Sequence, residues 1–273
     1  FTYTNIVPLH GFNSAVYDAV NRGVSVHTIY NAEGEALQRL KYLAEFNGQT
    51  NTYTLTTIGS KANQPFVDGA KTVKVLRSSH DDNEWYGFEN PLDGTPLSER
   101  GYDENGVLRS ITLSDFTVKT SANGAGRDAR PNRSVTFTFD PSDPNIALAT
   151  FSKTEYDETG SSVASDFSHL NIRKSNTYNY AVVTAATALS SNNWETIESW
   201  FADKLDKTSK TDYDYSRTEY KNIGINSLPT ESRVFDKNNN LLAKTQTIFD
   251  NHTATPSTPY PFSGAIVGYP KHL

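Results

Sequence analysis

The feature that most constrains the fold is a short pattern that occurs twice with its flanks intact. Ser98-Glu99-Arg100-Gly101-Tyr102-Asp103-Glu104-Asn105-Gly106-Val107-Leu108-Arg109-Ser110 is followed later by Glu231-Ser232-Arg233-Val234-Phe235-Asp236-Lys237-Asn238-Asn239-Asn240-Leu241-Leu242-Ala243. Both hold an aromatic-Asp pair, a polar turn, and a leucine six residues after the aromatic. Proline stands six residues before the aromatic (Pro96, Pro229) and arginine two before it (Arg100, Arg233). A repeat of this kind is one supersecondary unit that buries its apolar face by packing beside its neighbours.

Weaker copies follow the same plan. They are Tyr17-Asp18 with Asn21-Arg22-Gly23, Tyr30-Asn31-Ala32-Glu33-Gly34-Glu35-Ala36-Leu37, and Tyr156-Asp157-Glu158-Thr159-Gly160. Phe139-Asp140, Tyr213-Asp214 and Phe249-Asp250 keep only the dipeptide. Each unit reads as a β-hairpin. An alternating strand enters, as in Lys153-Thr154-Glu155-Tyr156; Asp or Asn then offers side-chain acceptors to its own backbone, and Gly or Asn takes the φ > 0 position. A second alternating strand leaves, such as Val107 to Leu113 or Leu241 to Ile248. Aromatic rings on one face are expected to stack on equivalents in the next hairpin.

Other stretches alternate as strands do: Thr52 to Ile58, Lys71 to Leu76, Ser134 to Phe139 and Thr177 to Thr184. Asn123-Gly124, Asp140-Pro141 and Asp143-Pro144 punctuate them as turns. One segment departs. Asn192 to Leu205 sets Trp194, Ile197, Trp200, Phe201 and Leu205 on one helical stripe, with Asn192 and Glu195 spaced as a capping box, which predicts one short amphipathic helix over 192–205. Ala36 to Phe46 fits a helix or a strand equally. The fold class expected is therefore mainly β: antiparallel hairpin repeats in an extended, curved or spiral sheet, with residues 1–273 forming a single β region.

The aromatic-Asp, polar, Gly and aliphatic segments resemble the YD-repeat proteins, which comprise bacterial Rhs proteins, the B and C components of Tc toxins, and the animal teneurins. The match is good at Tyr102-Asp103-Glu104-Asn105-Gly106, moderate from Phe235-Asp236 to Leu242, and partial at Tyr17-Asp18, Tyr30-Asn31 and Tyr156-Asp157. Gly94-Thr95-Pro96-Leu97 looks like the lead-in to such a repeat. These pieces cover about a third of the chain. The resemblance implies a spiral hairpin sheet around a hollow, used as a toxin-sequestering shell or a surface adhesion scaffold outside the cytoplasm. The partners it implies are the rest of a longer chain or neighbouring copies, an encapsulated toxin, or a surface glycan. The residues it makes architectural are Tyr17, Asp18, Tyr30, Asn31, Gly34, Tyr102, Asp103, Gly106, Leu108, Tyr156, Asp157, Gly160, Phe235, Asp236 and Leu241. Gly268-Tyr269-Pro270-Lys271 looks like the opening of a further unit, and the absence of Met from all 273 residues fits either a mature protein cut from a precursor or an internal stretch of a longer chain. Asp140-Pro141 and Asp143-Pro144 lack the context of the family's Asp-Pro-x-Gly-type processing motif, so no self-cleavage site is expected.

Composition narrows the function classes. A net charge of −6 and a pI near 5.5 give no basic stripe to neutralise phosphates, which argues against nucleic acid. No run approaches the roughly 18 apolar residues of a membrane-spanning helix. With no cysteine, disulfides and thiolate chemistry are excluded. Aromatics make up 12% against 36% for all hydrophobic residues, which suits broad sheets stabilised by ring burial.

Each chemistry-bearing cluster has a plainer reading beside it. His80-Asp81-Asp82-Asn83-Glu84-Trp85 offers oxygen ligands but lacks the glycine and distal glutamate of a calcium loop, so a solvated loop is expected. The six histidines are dispersed and form no His-Glu-x-x-His, so no metal is expected. Asp103-Glu104 and Asp157-Glu158 pair carboxylates as glycosidases do, yet both lie in repeat turns. Gly124-Ala125-Gly126 lacks the third glycine of a phosphate loop, and no Gly-x-Ser-x-Gly elbow occurs. Trp194 and Trp200 suit a sugar-stacking platform, but their helical spacing marks a buried stripe more simply. Asn132-Arg133-Ser134 and Asn251-His252-Thr253 are glycosylation sequons only in a eukaryotic host. The leading expectation is a non-catalytic structural segment with no cofactor. The alternative is a secreted carbohydrate-binding or polysaccharide-cleaving protein with an aromatic-lined β groove.

Overall fold

The computed structural model describes residues 2–5, 22–50, 52–77, 92, 94–120, 126–157, 171–214 and 228–248. Among these described residues fourteen strands and two short helices follow one another: β1 (Thr2–Asn5), β2 (Arg22–Tyr30), β3 (Ala36–Asn47), β4 (Thr52–Lys61), β5 (Gln64–Arg77), β6 (Pro96–Tyr102), β7 (Leu108–Thr120), β8 (Gly126–Phe139), β9 (Ile146–Asp157), β10 (Asn171–Tyr178) and β11 (Ala181–Thr184), then α1 (Ala185–Ser190), α2 (Trp194–Ser199), β12 (Leu205–Asp214), β13 (Leu228–Asp236) and β14 (Leu241–Gln246). All fourteen strands form one antiparallel sheet in chain order from β1 to β14, except that β11 pairs with β9 off the main path. The sheet is open, with β1 and β14 at its ends. The described connections β2–β3, β4–β5, β6–β7, β8–β9 and β13–β14 are hairpins, a cheap way to satisfy strand backbone groups.

Segment Ala36 to Phe46, for which helix and strand were equally matched, is strand β3. Pro96 opens β6 and Pro229 is the second residue of β13, where the missing N–H costs the ladder least. At the tip of the β4–β5 hairpin the register slips between Ile58 and Ser60. There a Cβ on Gly69 would lie 2.9 Å from backbone atoms of both Ser60 and Lys61. Backbone cannot swing aside as a side chain can, so Gly69→Ala is expected to open the hairpin tip. Faster amide exchange near Ser60 and a lower Tm would register it.

Residues in register share a face of the sheet. Ile111 and Leu113, Val135 and Phe137, and Ala149 and Phe151 line up across β7, β8 and β9. With Phe139, Ala147 and Ala181 they make the core, onto which α1 and α2 bring Ala188, Ile197 and Phe201. Phe137, Val135, Ile197 and Phe201 are fully buried. The alanines of β9 and β11 are the reason helices can lie close to the sheet there: a larger residue at Ala147, Ala149 or Ala181 would hold them off. The opposite face of the same strands carries Ser110, Thr112, Ser114, Ser134, Thr136, Thr138, Thr150 and Ser152, with the Thr112 and Thr136 hydroxyls 3.0 Å apart. One face is thus apolar and helix-covered at its centre, the other hydroxyl-lined.

The single helix expected over 192–205 is corrected. Within that range the helix is shorter, α2 over Trp194–Ser199, and a second six-residue helix, α1, lies ahead of the range, across 191–193. Asn193, and not Asn192, caps α2 by accepting the Thr196 N–H. The helix stops at Trp200, and the Lys204 N–H donates to the Phe201 carbonyl, turning the chain so that Leu205 starts β12 opposite Tyr178. The stretch Thr177 to Thr184, read as one strand, is split between β10 and β11.

Candidate functional site

The same turn is built three times. At Asn31, Asp103 and Asp236 the first residue donates its N–H to the carbonyl four residues on (Glu35, Val107, Asn240) at 2.9 Å. Its own carbonyl accepts from the N–H three residues on, at Gly34, Gly106 and Asn239. Those three residues have φ of +83°, +77° and +65°. The Asx Oδ1 closes the loop by accepting the N–H of Glu35, Val107 and Asn240 at 2.8 to 2.9 Å. In Asp103 and Asp236 it also accepts from Asn105 and Asn238. This is a three-residue hairpin loop with a left-handed residue before the returning strand.

The consequence for the strands is equally regular. Tyr30 pairs with Ala36, Tyr102 with Leu108 and Phe235 with Leu241, each six residues apart, and each beside a register slip. The spacing of aromatic and leucine read from the sequence is thus the spacing across the turn. Lys71 Nζ sits 4.7 Å from the centre of the Tyr102 ring and Lys210 Nζ 4.8 Å from that of Phe235. In both cases the cation comes from the preceding strand, so neighbouring hairpins are joined by cation–π contacts. Gly106→Val places a β-branched residue at φ +77° and is expected to cost about 1 kcal/mol or more, whereas Gly106→Asn, which copies Asn239, is expected to cost less. Urea denaturation of the two variants checks the order.

Several candidate residues are placed differently. Tyr17, Asp18 and Gly160 lie outside the described residues, as do Phe249-Asp250, Asn251, Asn123-Gly124 and the His80–Trp85 cluster. Tyr156 and Asp157 end β9 and pair with Ile172 and Asn171, not with residues six positions on. That copy lacks the six-residue pairing of the other three. Tyr213-Asp214 lies within β12, and Phe139 ends β8 with Asp140 accepting from the Ser142 N–H.

Charges are locked in local pairs. The Val107 N–H, and beyond it Arg109, hold the Asp103 carboxyl below its ordinary value of 3.8, and the Asn240 side chain does the same for Asp236. A half-buried network crosses from sheet to helix: Asp115 on β7 binds Arg133 on β8, Arg133 reaches Glu198 of α2 at 2.9 Å, and Lys153 on β9 reaches the same carboxylate at 2.6 Å. The Trp194 ring lies 5.1 Å from the Arg133 guanidinium. Partial burial pushes the Glu198 carboxyl up, but Lys153 and Arg133 outweigh it and hold it below 4.5. Farther along the same face, Arg233 pairs with Asp212 and Glu231, and Lys244 with Glu231.

A cleft of about 340 Å³ lies beside the Asp103 turn, lined by Lys71, Tyr102, Asp103 and Arg109 among others, but its one carboxylate is not free. Asp103 is occupied by its own turn and by Arg109 at 2.7 Å. Among the described residues no three His, Cys, Asp or Glu side chains come together to hold a metal ion. Among them, too, no helix is long and apolar enough to cross a membrane. Asn132, the first residue of a sequon, sits in β8 with a buried Oδ1. Two clefts flank the helical cap and share Trp200. One, of about 170 Å³, lies among Thr187, Ser190, Ser191, Asn192, Asn193 and Thr196. The other, of about 680 Å³, runs along Asn179 to Val183 and meets Lys204. Sequence reasoning missed both, because they depend on the break between α1 and α2.

These features define an open antiparallel hairpin sheet with a helical cap. No protein-family model matches the sequence, and the comparison with curated proteins finds no match. Among solved structures, the crystal structure of TcdB2-TccC3-TEV is similar at 14% sequence identity and a TM-score of 0.40, over 85% of this chain and 15% of that one.

Proposed function

We propose that the chain is a non-catalytic structural segment of an exported YD-repeat shell or surface scaffold, acting in toxin encapsulation or in adhesion. The observation that carries this reading is the threefold recurrence of one turn with one register, at Tyr30–Ala36, Tyr102–Leu108 and Phe235–Leu241. A wall needs repeated units that pair with the next, and it needs no reactive centre. Its partners would be the rest of a longer chain or neighbouring copies, with a toxin or glycan as cargo or receptor, outside the cytoplasm. The test is electron microscopy of the native protein recovered from its source with antibodies raised against this chain. A hollow body with these hairpins in its wall supports the reading, and an isolated domain on a catalytic assembly overturns it.

The second reading, a carbohydrate-binding protein, is favoured by one observation: hydroxyls, amides and an indole converge in the smaller cleft. Its size weighs against it, since sites that enclose a small ligand usually span roughly 300–1,000 Å³. A glycan array decides between the two. Background signal is expected, and saturable binding lost in Trp200→Ala would favour the sugar site.

A further inference from the structure

We infer that the free edge of β11 is a docking site for one short, extended peptide strand that ends in a carboxylate. The inference starts from a notch in the sheet. β9 is paired along its whole second edge, by β10 over Ser152 to Asp157 and by β11 over Ile146 to Ala149. β10 has β12 on its far side, but among the described residues β11 has no strand beyond it, because the chain at 201–204 turns out of the helices and enters β12 only at Leu205. One strand position beside β11 is therefore open over Ala181–Thr184.

Backbone geometry says what fits there. Ala185 donates its N–H to the Asn145 carbonyl, so the odd-numbered residues Ala181, Val183 and Ala185 are the ones hydrogen-bonded to β9. Alternation then turns the N–H and C=O of Val182 away from β9, toward the notch. Val182 is 61% exposed and Tyr180 is 63% exposed. A donor and an acceptor side by side on an exposed apolar edge are satisfied together by another strand, as in β-strand addition. The 680 Å³ cleft bounded by Trp200 follows this edge and has room for such a strand.

Direction follows from the strand already present. β12 runs antiparallel to β10, starting at Leu205 opposite Tyr178. A peptide continuing its line beside β11 would run antiparallel to β11 and end where β12 begins, at Lys204, which lines the cleft. Among the described residues its ion-pair partner is Asp203, 3.9 Å away and 85% exposed, so the ammonium can turn to a carboxylate at the peptide's C-terminal end. The carboxylate proposed is the peptide's own chain terminus, which falls where β12 begins and Lys204 lines the cleft.

The test uses the whole chain and a fluorescent, N-acetylated hexapeptide of alternating threonine and valine with a free C-terminal carboxylate. Anisotropy is expected to show saturable binding. It should weaken about tenfold on C-terminal amidation, one charge-assisted contact being worth about that factor. An amidated peptide with Asp in last place is expected not to recover binding, and recovery would overturn the assignment of a chain terminus. N-methylation of the central valine should abolish binding by removing the edge hydrogen bond. Lys204→Glu, at a side chain 35% exposed whose ammonium pairs only loosely with Asp203, should reverse the preference toward the amidated peptide. No saturation at millimolar peptide, equal binding of the N-methylated form, or indifference to Lys204→Glu would overturn the proposal.

Discussion

Phe137→Ala is expected to destabilise the protein by about 3–5 kcal/mol, the range for emptying a fully buried aromatic site. Phe137 has no exposed surface, and its ring meets Trp200 edge-on with centroids 6.1 Å apart. It stands at the centre of the sheet face that α1 and α2 cover, in register with Ile111 and Ala149. Its neighbours are themselves locked. Phe151 stacks on Phe201 at 5.1 Å, and Tyr178 closes the cluster at 6.0 Å from Phe201. The cavity therefore has little scope to collapse, and the helical cap should loosen before the hairpins do. Urea denaturation gives the magnitude. Fluorescence of Trp194 and Trp200 in a Trp85→Phe background gives the location, with a red shift at denaturant levels that leave far-ultraviolet dichroism unchanged.

Glu198→Ala is the second large effect, expected at about 2 kcal/mol. Glu198 anchors α2 to two strands by accepting from Arg133 and Lys153. Removing it leaves two cations half-buried beside each other, Arg133 retaining Asp115 and Lys153 losing its partner. Hydrogen bonds to charged groups contribute about 1.5–3 kcal/mol each, but these side chains are 24% to 35% exposed and solvent screens part of that. The loss should shrink in high salt. The sign with pH follows from the same contacts. Glu198 is held below 4.5, so its contribution is complete above that pH and is lost as pH falls through the lowered value. Glu155 and Glu231 act in the same direction, through Lys174 and Lys244 first. Stability is thus expected to fall with acidification below about pH 4.5, less steeply in Glu198→Gln, as thermal melts across that range would show.

Much of the sheet was legible in the sequence, for a local reason. A turn whose Asx side chain bonds its own backbone and whose third following residue takes φ > 0 is specified by five residues, and Tyr102 to Leu108 carries them all. Asn239 does at Phe235 what Gly106 does at Tyr102, which is why the two copies looked alike. Tyr156-Asp157 has the same opening, but β9 continues to Asp157 and pairs with Asn171 across a connection of other length. A dipeptide does not fix a turn without the residues after it.

The helical cap was legible as a stripe and illegible as a shape. Trp194, Ile197, Trp200 and Phe201 do face the core, yet the helix breaks at 191–193 and stops at Trp200. Those ends are set by tertiary demands: Phe201 must enter the core while Leu205 enters a strand. The ionic link from Asp115 through Arg133 and Glu198 to Lys153 joins residues up to 83 positions apart, and no local pattern announces it. The notch beside β11 has the same origin, since it exists only because the chain leaves the sheet for the helices.

The continuous hairpin sheet is tested most directly by paired cysteines, which the chain's lack of native cysteine makes unambiguous. Thr112→Cys with Thr136→Cys, and Ser175→Cys with Ser209→Cys across the helical insert, stand opposite each other in the sheet. Both pairs should oxidise rapidly to one intramolecular crosslink each, while Ser175→Cys with Thr208→Cys, on opposite faces, should not. Crosslinking of the mismatched pair in preference to the matched one, or of neither matched pair, would contradict the sheet on which the structural reading rests.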